Sequence, residues 1–290
     1  MNDLMEIIKG RKSVRTYDGK PLSEEHRKLL EDFVNALNSN ALDEGAFPAP
    51  FAKGAADPFS IPVEFVLLDA KEHGLSSSVL SGEPMYVTGK VEKKPYADVA
   101  FGYAFERLVL YAWSLGVGTV WIGGTMKREV FEKAAGLKTG EMMPCVSPLG
   151  YPAAKRTLKE SLMRKGVGAD NRISAEKLFF DETWGNPLKL SGDMGEILEM
   201  VRWAPSAVNK QPWRIIRKDG VFHFYEKKDK GYVNDSTGDL QKIDVGIALC
   251  HFVLGLEDKG LPYEIVISNP EIEIPDQAEY IVSVKTGSPA

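Results

Sequence analysis

Cysteine and histidine are scarce. Cys145 and Cys250 are the two cysteines in 290 residues. Two that far apart build no disulfide framework and no close Cys pair, so a reducing, cytoplasmic setting is the expectation. His26, His73, His223 and His251 form no His-x-x-x-His pair, and no metal site is expected. Long apolar runs are missing too: no stretch of about 18 apolar residues occurs. The first ten residues, MNDLMEIIKG, carry Asp3 and Glu6 and no apolar run fit for a signal peptide. The expectation is a chain neither exported nor membrane-spanning. Positive charge is not in excess, since Lys+Arg 36 against Asp+Glu 41 leaves a net charge of -5. That balance, with no basic patch interleaved by aromatics, argues against nucleic acid as a partner and leaves any anion site to a local cluster. There is no Gly-x-Ser-x-Gly elbow and no Gly-Lys-Ser/Thr phosphate loop, and no side chain stands out as nucleophile or activated base. An enzyme of this kind would take its reactivity from a cofactor.

What is present is an ordinary globular composition, 43% hydrophobic and 27% charged, with ample material for a core. At about 150 residues per unit, the length leaves one large domain and two units both open. Helices are predicted over LMEIIKG, ended by Gly10, and over PLSEEHRKLLEDFVNAL, with Ser23 as N-cap and Leu29, Leu30, Phe33, Val34 and Leu37 as the apolar stripe. A Pro/Gly/Ala-rich loop, NSNALDEGAFPAPFAKGAADPF, leads into a strand in PVEFVLLDA. YADVAFGYAFERLVLYAWSLG reads as a mostly buried helix stopped at Gly116. VGTVWIGG reads as a strand running into a glycine turn, KREVFEKAAG as a helix, and MMPCVSPLGYP as a strand followed by the basic tail AAKRTLKESLMRKG. The order then recurs. SAEKLFF and DMGEILEMVRWAPS are helices, QPWRIIRKDGVFHFYEK is a hairpin turning at Asp219 and Gly220, DLQKIDVGIALCHFVLGLEDKG is a long buried helix, and PYEIVISN and EYIVSVKTG are closing strands. An internal duplication is the economical explanation, with one α+β unit over 1–165 and a second over 166–290. Its clearest pair sets the two buried helices side by side, each opening with Asp-Val and ending at a glycine.

Three short stretches carry polar chemistry. Arg11, Lys12, Ser13 and Arg15 gather three cations and a hydroxyl in a loop between helices. Guanidinium forks make charge-assisted hydrogen bonds worth about 1.5–3 kcal/mol each, which suits a phosphate or another anion; a solvated basic loop is the alternative. Gly116 and Gly118 are no dinucleotide fingerprint, because they follow a helix and open a strand. Gly123 and Gly124 after that strand either let a flat ligand approach the backbone or mark a simple turn. In APSAVNKQPW, Pro205 stops a helix, Ser206 and Asn209 offer donors and acceptors, and Pro212 fixes an extended exit. The stretch suits the polar edge of a planar heterocycle, or serves as a helix-to-strand turn.

Together these stretches resemble the FMN-dependent nitroreductase family. RKSVRTYDGKP looks like its RxSxR motif, and RWAPSAVNKQPWRII is similar to its APSxxNxQPW segment. GVGTVWIGG with GYPAAKR is similar to its later strand, glycine turn and basic tail. The resemblance spans nearly the whole chain. It implies an α/β/α sandwich of two similar lobes, each a mainly antiparallel sheet flanked by helices. It implies FMN as cofactor and NADH or NADPH as reductant in a ping-pong reduction of nitroaromatic, quinone or similar flat acceptors. Family members are usually homodimers whose subunits share each flavin site. Here RxSxR, the glycine turn and the Lys155/Arg156 tail stand in the first unit and PSxxNxQPW stands in the second, while NSNALDEGAFPAPF and KLFFDETWGNPL occupy the places of the missing counterparts. The complementary losses imply a monomeric pseudo-dimer, open to further association, with one FMN site. In that site the resemblance sets Arg11, Ser13, Lys155 and Arg156 around the phosphate or ribityl chain, with Lys12 among the cofactor-binding cations. Arg15 falls near the pyrimidine edge, the Gly123 and Gly124 backbone faces N5, and Pro205, Ser206, Ala207 and Asn209 cover the opposite part. No catalytic side chain is implied, since the flavin carries the chemistry. The alternatives are a non-catalytic flavin-binding sensor or storage protein and a specialised dehalogenase or flavin-consuming reaction.

Overall fold

The computed structural model describes residues 3–42, 45–52 and 58–287, so the loop expected ahead of the first strand lies partly outside the described residues. Helices α1 (Leu4–Gly10) and α2 (Glu24–Asn38) open the chain. Asp3 and Ser23 cap them, accepting from Met5 N and His26 N at 3.2 Å, and α2 buries Leu30, Phe33, Val34 and Leu37 as its pattern requires.

The first sheet is built on β2 (Met85–Glu92), which pairs antiparallel with β1 (Glu64–Asp69) on one side and with β3 (Glu141–Met142) and β4 (Val146–Leu149) on the other. The sequence reading had no strand at β2; Gly89 and the charges of Lys90 and Glu92 break up its apolar pattern. The expected strand in VGTVWIGG is an extended segment, bridged to β4 through Gly118 with Gly150 and Ile122 with Val146, and to Ser13 through Thr119. The second sheet runs β10 (Tyr263–Val266), β11 (Ala278–Thr286), β7 (Val221–Lys227), β6 (Trp213–Lys218) and β5 (Phe179–Asp181). It is antiparallel except where β5 lies parallel to β6. The β6–β7 hairpin turns at Asp219 and Gly220, both with positive φ (49° and 77°), the conformation such a two-residue turn needs. Strands β8 (Val233–Asn234) and β9 (Gly238–Asp239) form a separate small ribbon. SAEKLFF is not a helix: Ala175–Lys177 make one 3-10 turn, after which buried Phe179 and Phe180 pair along β6. Apart from that edge the sheets share one order, β1-β2-β4-(117–122) against β6-β7-β11-β10.

Between the sheets lie α3 (Ala97–Ser114) and α7 (Leu240–Asp258), buried along most of their lengths. Helices α4 (Arg128–Ala134), α5 (Leu158–Gly166) and α6 (Gly192–Arg202) complete the set. The region read as a basic tail is therefore partly helical, with Thr157 capping α5 by accepting from Glu160 N at 3.2 Å. The α3–α7 contact is backbone on backbone. A β-carbon at Gly102 would overlap the Ile243 carbonyl, and one at Gly246 would overlap the Val99 carbonyl. The contact is reciprocal, and it sets the register between the helices: Gly246 lies 144 positions beyond Gly102, as Ile243 does beyond Val99 and Gly260 beyond Gly116. Gly116 and Gly260 both carry positive φ after their helices. The Asp98-Val99 and Asp244-Val245 openings, matched in the sequence reading, stand two residues out of that register and do not correspond.

No helix among the described residues is long and apolar enough to cross a membrane.

Because a methyl group at the crossing meets backbone, Gly102→Ala is expected to destabilise the protein by about 3 kcal/mol or more, read as a melting temperature lowered by roughly 6 °C or more. Gly124→Ala, which meets open space, is the matched control and should melt like the parent.

Candidate functional site

Residues 11–15 run as an extended edge beside the 117–122 segment. Val14 N donates to Thr119 O at 2.9 Å, and Val14 is buried against Gly118. Alternation along an extended chain then sends Arg11, Ser13 and Arg15 to one side and Lys12 to the other. Lys12 is accordingly set apart from the cluster in which it was expected: its ammonium stands 5.9 Å from the centre of the Trp113 ring.

Arg11 meets a buried junction on α3. One oxygen of Glu106 accepts from Trp121 Nε1 at 2.9 Å, and the other lies 3.0 Å from His251 Nε2 on α7 and 4.0 Å from Arg11 Nε. His251 Nδ1 faces the Met200 carbonyl at 3.0 Å, so the imidazole donates there and shares a proton with Glu106 at its other nitrogen. One carboxylate thus ties the RxSxR strand and the segment leading to Gly123 and Gly124 to the partner helix.

The second lobe brings its loop to the same region. Val208, Asn209 and Gln211 hold positive φ values of 50°, 58° and 51°, a conformation costing a non-glycine residue about 1–2 kcal/mol. Such strain persists where the surroundings enforce it. Both oxygens of Asp244 on α7 accept from Ala207 N, at 3.0 and 3.1 Å, and Ser206 Oγ accepts from Gln211 N at 2.8 Å. Burial first, with Asp239, Glu226 and Glu106 adding, pushes the Asp244 carboxyl well above the usual range despite the Ala207 hydrogen bond.

The two stretches meet across the chain that follows α5. Asn209 Nδ2 donates to the carbonyls of Gly168 and Asn171 at 2.7 and 3.0 Å, and Gln211 Oε1 accepts from Ile173 N at 2.9 Å. Gly168, Ala169, Asp170 and Asn171, with Arg156, Ser161, Arg164 and Lys165, line a cavity of about 430 Å³. Arg164 pairs with Asp170 at 2.5 Å and acts electrostatically on Arg11, Arg15 and Arg172. Arg172 donates to the carbonyls of Ala169, Asn171 and Trp203, and its guanidinium lies 4.9 Å from the Trp203 ring centre. Burial, then the neighbouring Arg11, draws Arg172 down to about 10; burial likewise lowers Arg11 and Arg15. Nε and Nη1 of Arg11, Nε of Arg15 and Nε of Arg172 are buried without a hydrogen-bond partner. Buried donors of this kind are rare and call for an acceptor.

Arg156 lies on the cavity wall with Nε 3.6 Å from Glu160, whereas Lys155 is exposed and does not line it. The Gly123 carbonyl accepts from Arg128 Nη2 at 2.7 Å, and a β-carbon on Gly123 would stand 3.9 Å from Leu240 at the start of α7. Gly124 is open to solvent. Pro205 joins α6 to the strained loop. Sequence reading missed Glu106, Asp244, Arg164 and Arg172. The first two had a signal, as acids inside otherwise apolar helices; Arg164 and Arg172 looked like any other charges in a basic segment.

Residues 55–256 match the family model described as "Putative TM nitroreductase". The crystal structure of "a putative nitroreductase" from Thermotoga maritima is similar over 98% of this chain and 93% of its own, at 18% identity and a TM-score of 0.57; it shares the fold. An FMN-dependent nitroreductase from Clostridium difficile matches over 56% of this chain and 95% of its own, at 15% identity and a TM-score of 0.38. No curated protein matches the chain.

Removing Glu106 takes the ion-pair partner from buried Arg11 and the hydrogen-bond partner from His251 and half-buried Trp121, so Glu106→Ala is expected to cost about 3–5 kcal/mol in denaturant unfolding, with Glu106→Gln milder. A second carboxylate gives a pH signature. Burial, then Asp239, raises Glu226 to about 7 from an ordinary 4.5. Its folded value lies above the unfolded one, so its favourable contribution is complete below pH 4.5 and is lost as pH rises through 7. Glu226→Gln should therefore raise the melting temperature at pH 8 and leave it unchanged near pH 4.5; an equal shift at both would contradict this.

Proposed function

The chain belongs to the nitroreductase family, and on that premise we propose that it binds one FMN in a site built by both lobes and uses NADH or NADPH to reduce nitroaromatic, quinone or similar flat acceptors. The observation that carries this reading is the set of buried guanidinium nitrogens of Arg11, Arg15 and Arg172 without hydrogen-bond partners, the last of them on the segment that the strained loop of the other lobe grasps. An anionic cofactor fits those donors. FMN, when bound, supplies hydride and electron transfer between nicotinamide and acceptor.

The protein's part is to bind, orient and polarise. Arg11, Ser13 and Arg156 hold the phosphate and ribityl end. Arg15 places positive charge at the polar edge of the ring, where reduction builds up negative charge. Pro205, Ser206 and Ala207 form the covering face. Asp244 fixes that face by holding the Ala207 amide, and Asn209 fixes it by grasping the wall at Gly168 and Asn171. Gly123 and Gly124 leave room for a flat ring beside the backbone. Lys12 and Lys155 contribute field rather than contact.

One site per chain follows from what fills the reciprocal position. In the shared register Arg107 takes the place of His251. It pairs with Glu257 at 2.9 Å and donates to Pro50 O at 3.3 Å, and Tyr263 donates to Glu257 at 2.7 Å. Phe51 is buried nearby in the same core. That interior supports a duplicated chain, lobes 1–165 and 166–290, that kept one site and filled the other. Because residues 167–173 are bound by Asn209 and Gln211 and β5 pairs in the second sheet, the crossing from one lobe to the next is itself part of the site. The reading needs no partner subunit for completeness, and its partners are small molecules.

Flavin absorbance against protein concentration should give one FMN per chain; two would remove the single-site reading. Anaerobic NADH or NADPH should bleach the bound flavin, and a colour that persists with both would leave a binding protein without turnover. Asn209→Ala, which removes two hydrogen bonds worth about 1 kcal/mol each, should weaken FMN roughly thirty-fold in a fluorescence titration. Unchanged affinity would separate that loop from the cofactor.

A further inference from the structure

The large hydrophobic side chains that stand in solvent are gathered rather than scattered. Among the described residues they are Leu158, Leu162, Val167, Val208, Val233 and Ile267, and the first four share one region. Leu158 and Leu162, 85% and 70% exposed, lie one turn apart on α5. Val167 caps that helix and opens the strap 167–173, and Val208 precedes Asn209, which grasps the strap at Gly168. Helix α5 is turned the opposite way from an ordinary surface helix, which buries its apolar stripe: its Glu160 is buried and accepts from Thr16 Oγ1 at 2.8 Å, while its leucines face out. Val208 is held at φ 50°, an outlier for a β-branched residue. Single exposed leucines call for no explanation, but a group of them on one short region marks a surface that something covers.

The charges around the leucines say what covers them. Lys159 stands three positions before Leu162 and Lys165 three after it, so both flank the leucines on the helix surface, and Lys155 and Arg156 lie exposed just ahead of the Thr157 cap. Lys159 donates to the Ser78 carbonyl, with donors to spare. The acids of the segment are already engaged: Glu160 is buried 3.6 Å from Arg156, and Asp170 pairs with Arg164. In a chain of net charge -5, this is a local reversal of sign. A second copy of the same face would set lysine against lysine, and a purely apolar partner would leave the lysines unmatched. An anionic lipid surface takes both kinds of side chain, the leucines at the acyl boundary and the lysines, on long apolar stems, at the headgroups.

We propose that α5 and the chain leading into it dock the protein on an anionic lipid bilayer, with Leu158 and Leu162 entering the interface and Lys155, Lys159 and Lys165 meeting the lipid phosphates. Nine residues of helix are far too short to span a bilayer, so the association is peripheral and reversible. The docking does not rest on the flavin reading. Its consequence does: Ser161 and Arg164 of the same helix line the cavity, so docking lays the proposed site against the membrane, where flat acceptors that dissolve in lipid are concentrated.

The test is co-sedimentation of the full chain with vesicles, for the parent and for the double variant Leu158→Gln/Leu162→Gln. One set of vesicles holds equal parts of phosphatidylglycerol and phosphatidylcholine, and the other holds phosphatidylcholine alone. The parent should bind the anionic vesicles about a hundred-fold more tightly than the neutral ones, at about five-fold for each of three lysines, and release them as salt rises. The double variant should bind the anionic vesicles at least ten-fold more weakly while melting like the parent. Binding to neither vesicle would overturn the proposal and leave the face to a protein partner. Equal binding by the double variant would overturn it too, because the leucines would then take no part. A dimer of the parent in lipid-free sedimentation, lost in the double variant, would likewise overturn it by assigning the leucines to a second copy of the chain. Vesicle binding needs no bound flavin, so it stands or fails apart from the flavin reading, which flavin content decides.

Discussion

The structure depends on one backbone contact. Gly102 and Gly246 let α3 and α7 approach until each helix touches the carbonyls of the other, with no side chain between them at the crossing. A closely packed interior has two stable arrangements or one, not a continuum, so this contact fixes the two sheets and everything attached to them. Glu106 projects from one helix and Asp244 from the other, and each reaches outward to a different segment of the site. The crossing thereby sets where a first-lobe strand and a second-lobe loop come together.

Around that crossing two carboxylates, Glu106 and Asp244, come from the central helices, where burial is nearly complete, and the guanidinium groups come from the extended edge 11–15, α5 and the strap behind it, where Glu160 and Asp170 pair with two of them. The acids work on backbone amides, an indole and an imidazole, and the arginines keep unpartnered nitrogens. Burying a donor without an acceptor is costly, and three left-handed non-glycine residues in one loop add backbone strain. Both costs lie at the same place, at the meeting of the lobes, which is where a ligand that relieves them would act. The reciprocal place is filled differently: Arg107 pairs with Glu257, which also accepts from Tyr263.

Much of this was legible in the residues, and the reasons for the failures are physical. The Ser23 cap, the Asp219-Gly220 turn and the buried central helices follow from local chemistry and appear where expected. APSAVNKQPW reaches the chain after α5 through Asn209, and Arg164 and Arg172 of that region act electrostatically with Arg11. β2 escaped because Gly89, Lys90 and Glu92 interrupt its alternation although almost the whole strand is buried. SAEKLFF was misread because pairing with β6 overrides helical propensity. Equating the Asp-Val openings shifted the repeat by two residues, since identical letters weigh less than the glycines whose missing side chains set the crossing. Lys12 was grouped with its neighbours by sequence adjacency, whereas an extended chain alternates its sides. Arg164 and Arg172 look like any other charges of a basic segment until the folded chain sets them near Arg11.

The most direct measurement is a crystal structure of the protein loaded with FMN. One FMN per chain should appear, its phosphate and ribityl end against Arg11, Ser13 and Arg156 and its ring between Arg15 and the loop 205–211, with Arg107 and Glu257 still paired at the reciprocal position. FMN bound away from either stretch, or a second FMN displacing the Arg107–Glu257 pair, would contradict a single site shared by the two lobes.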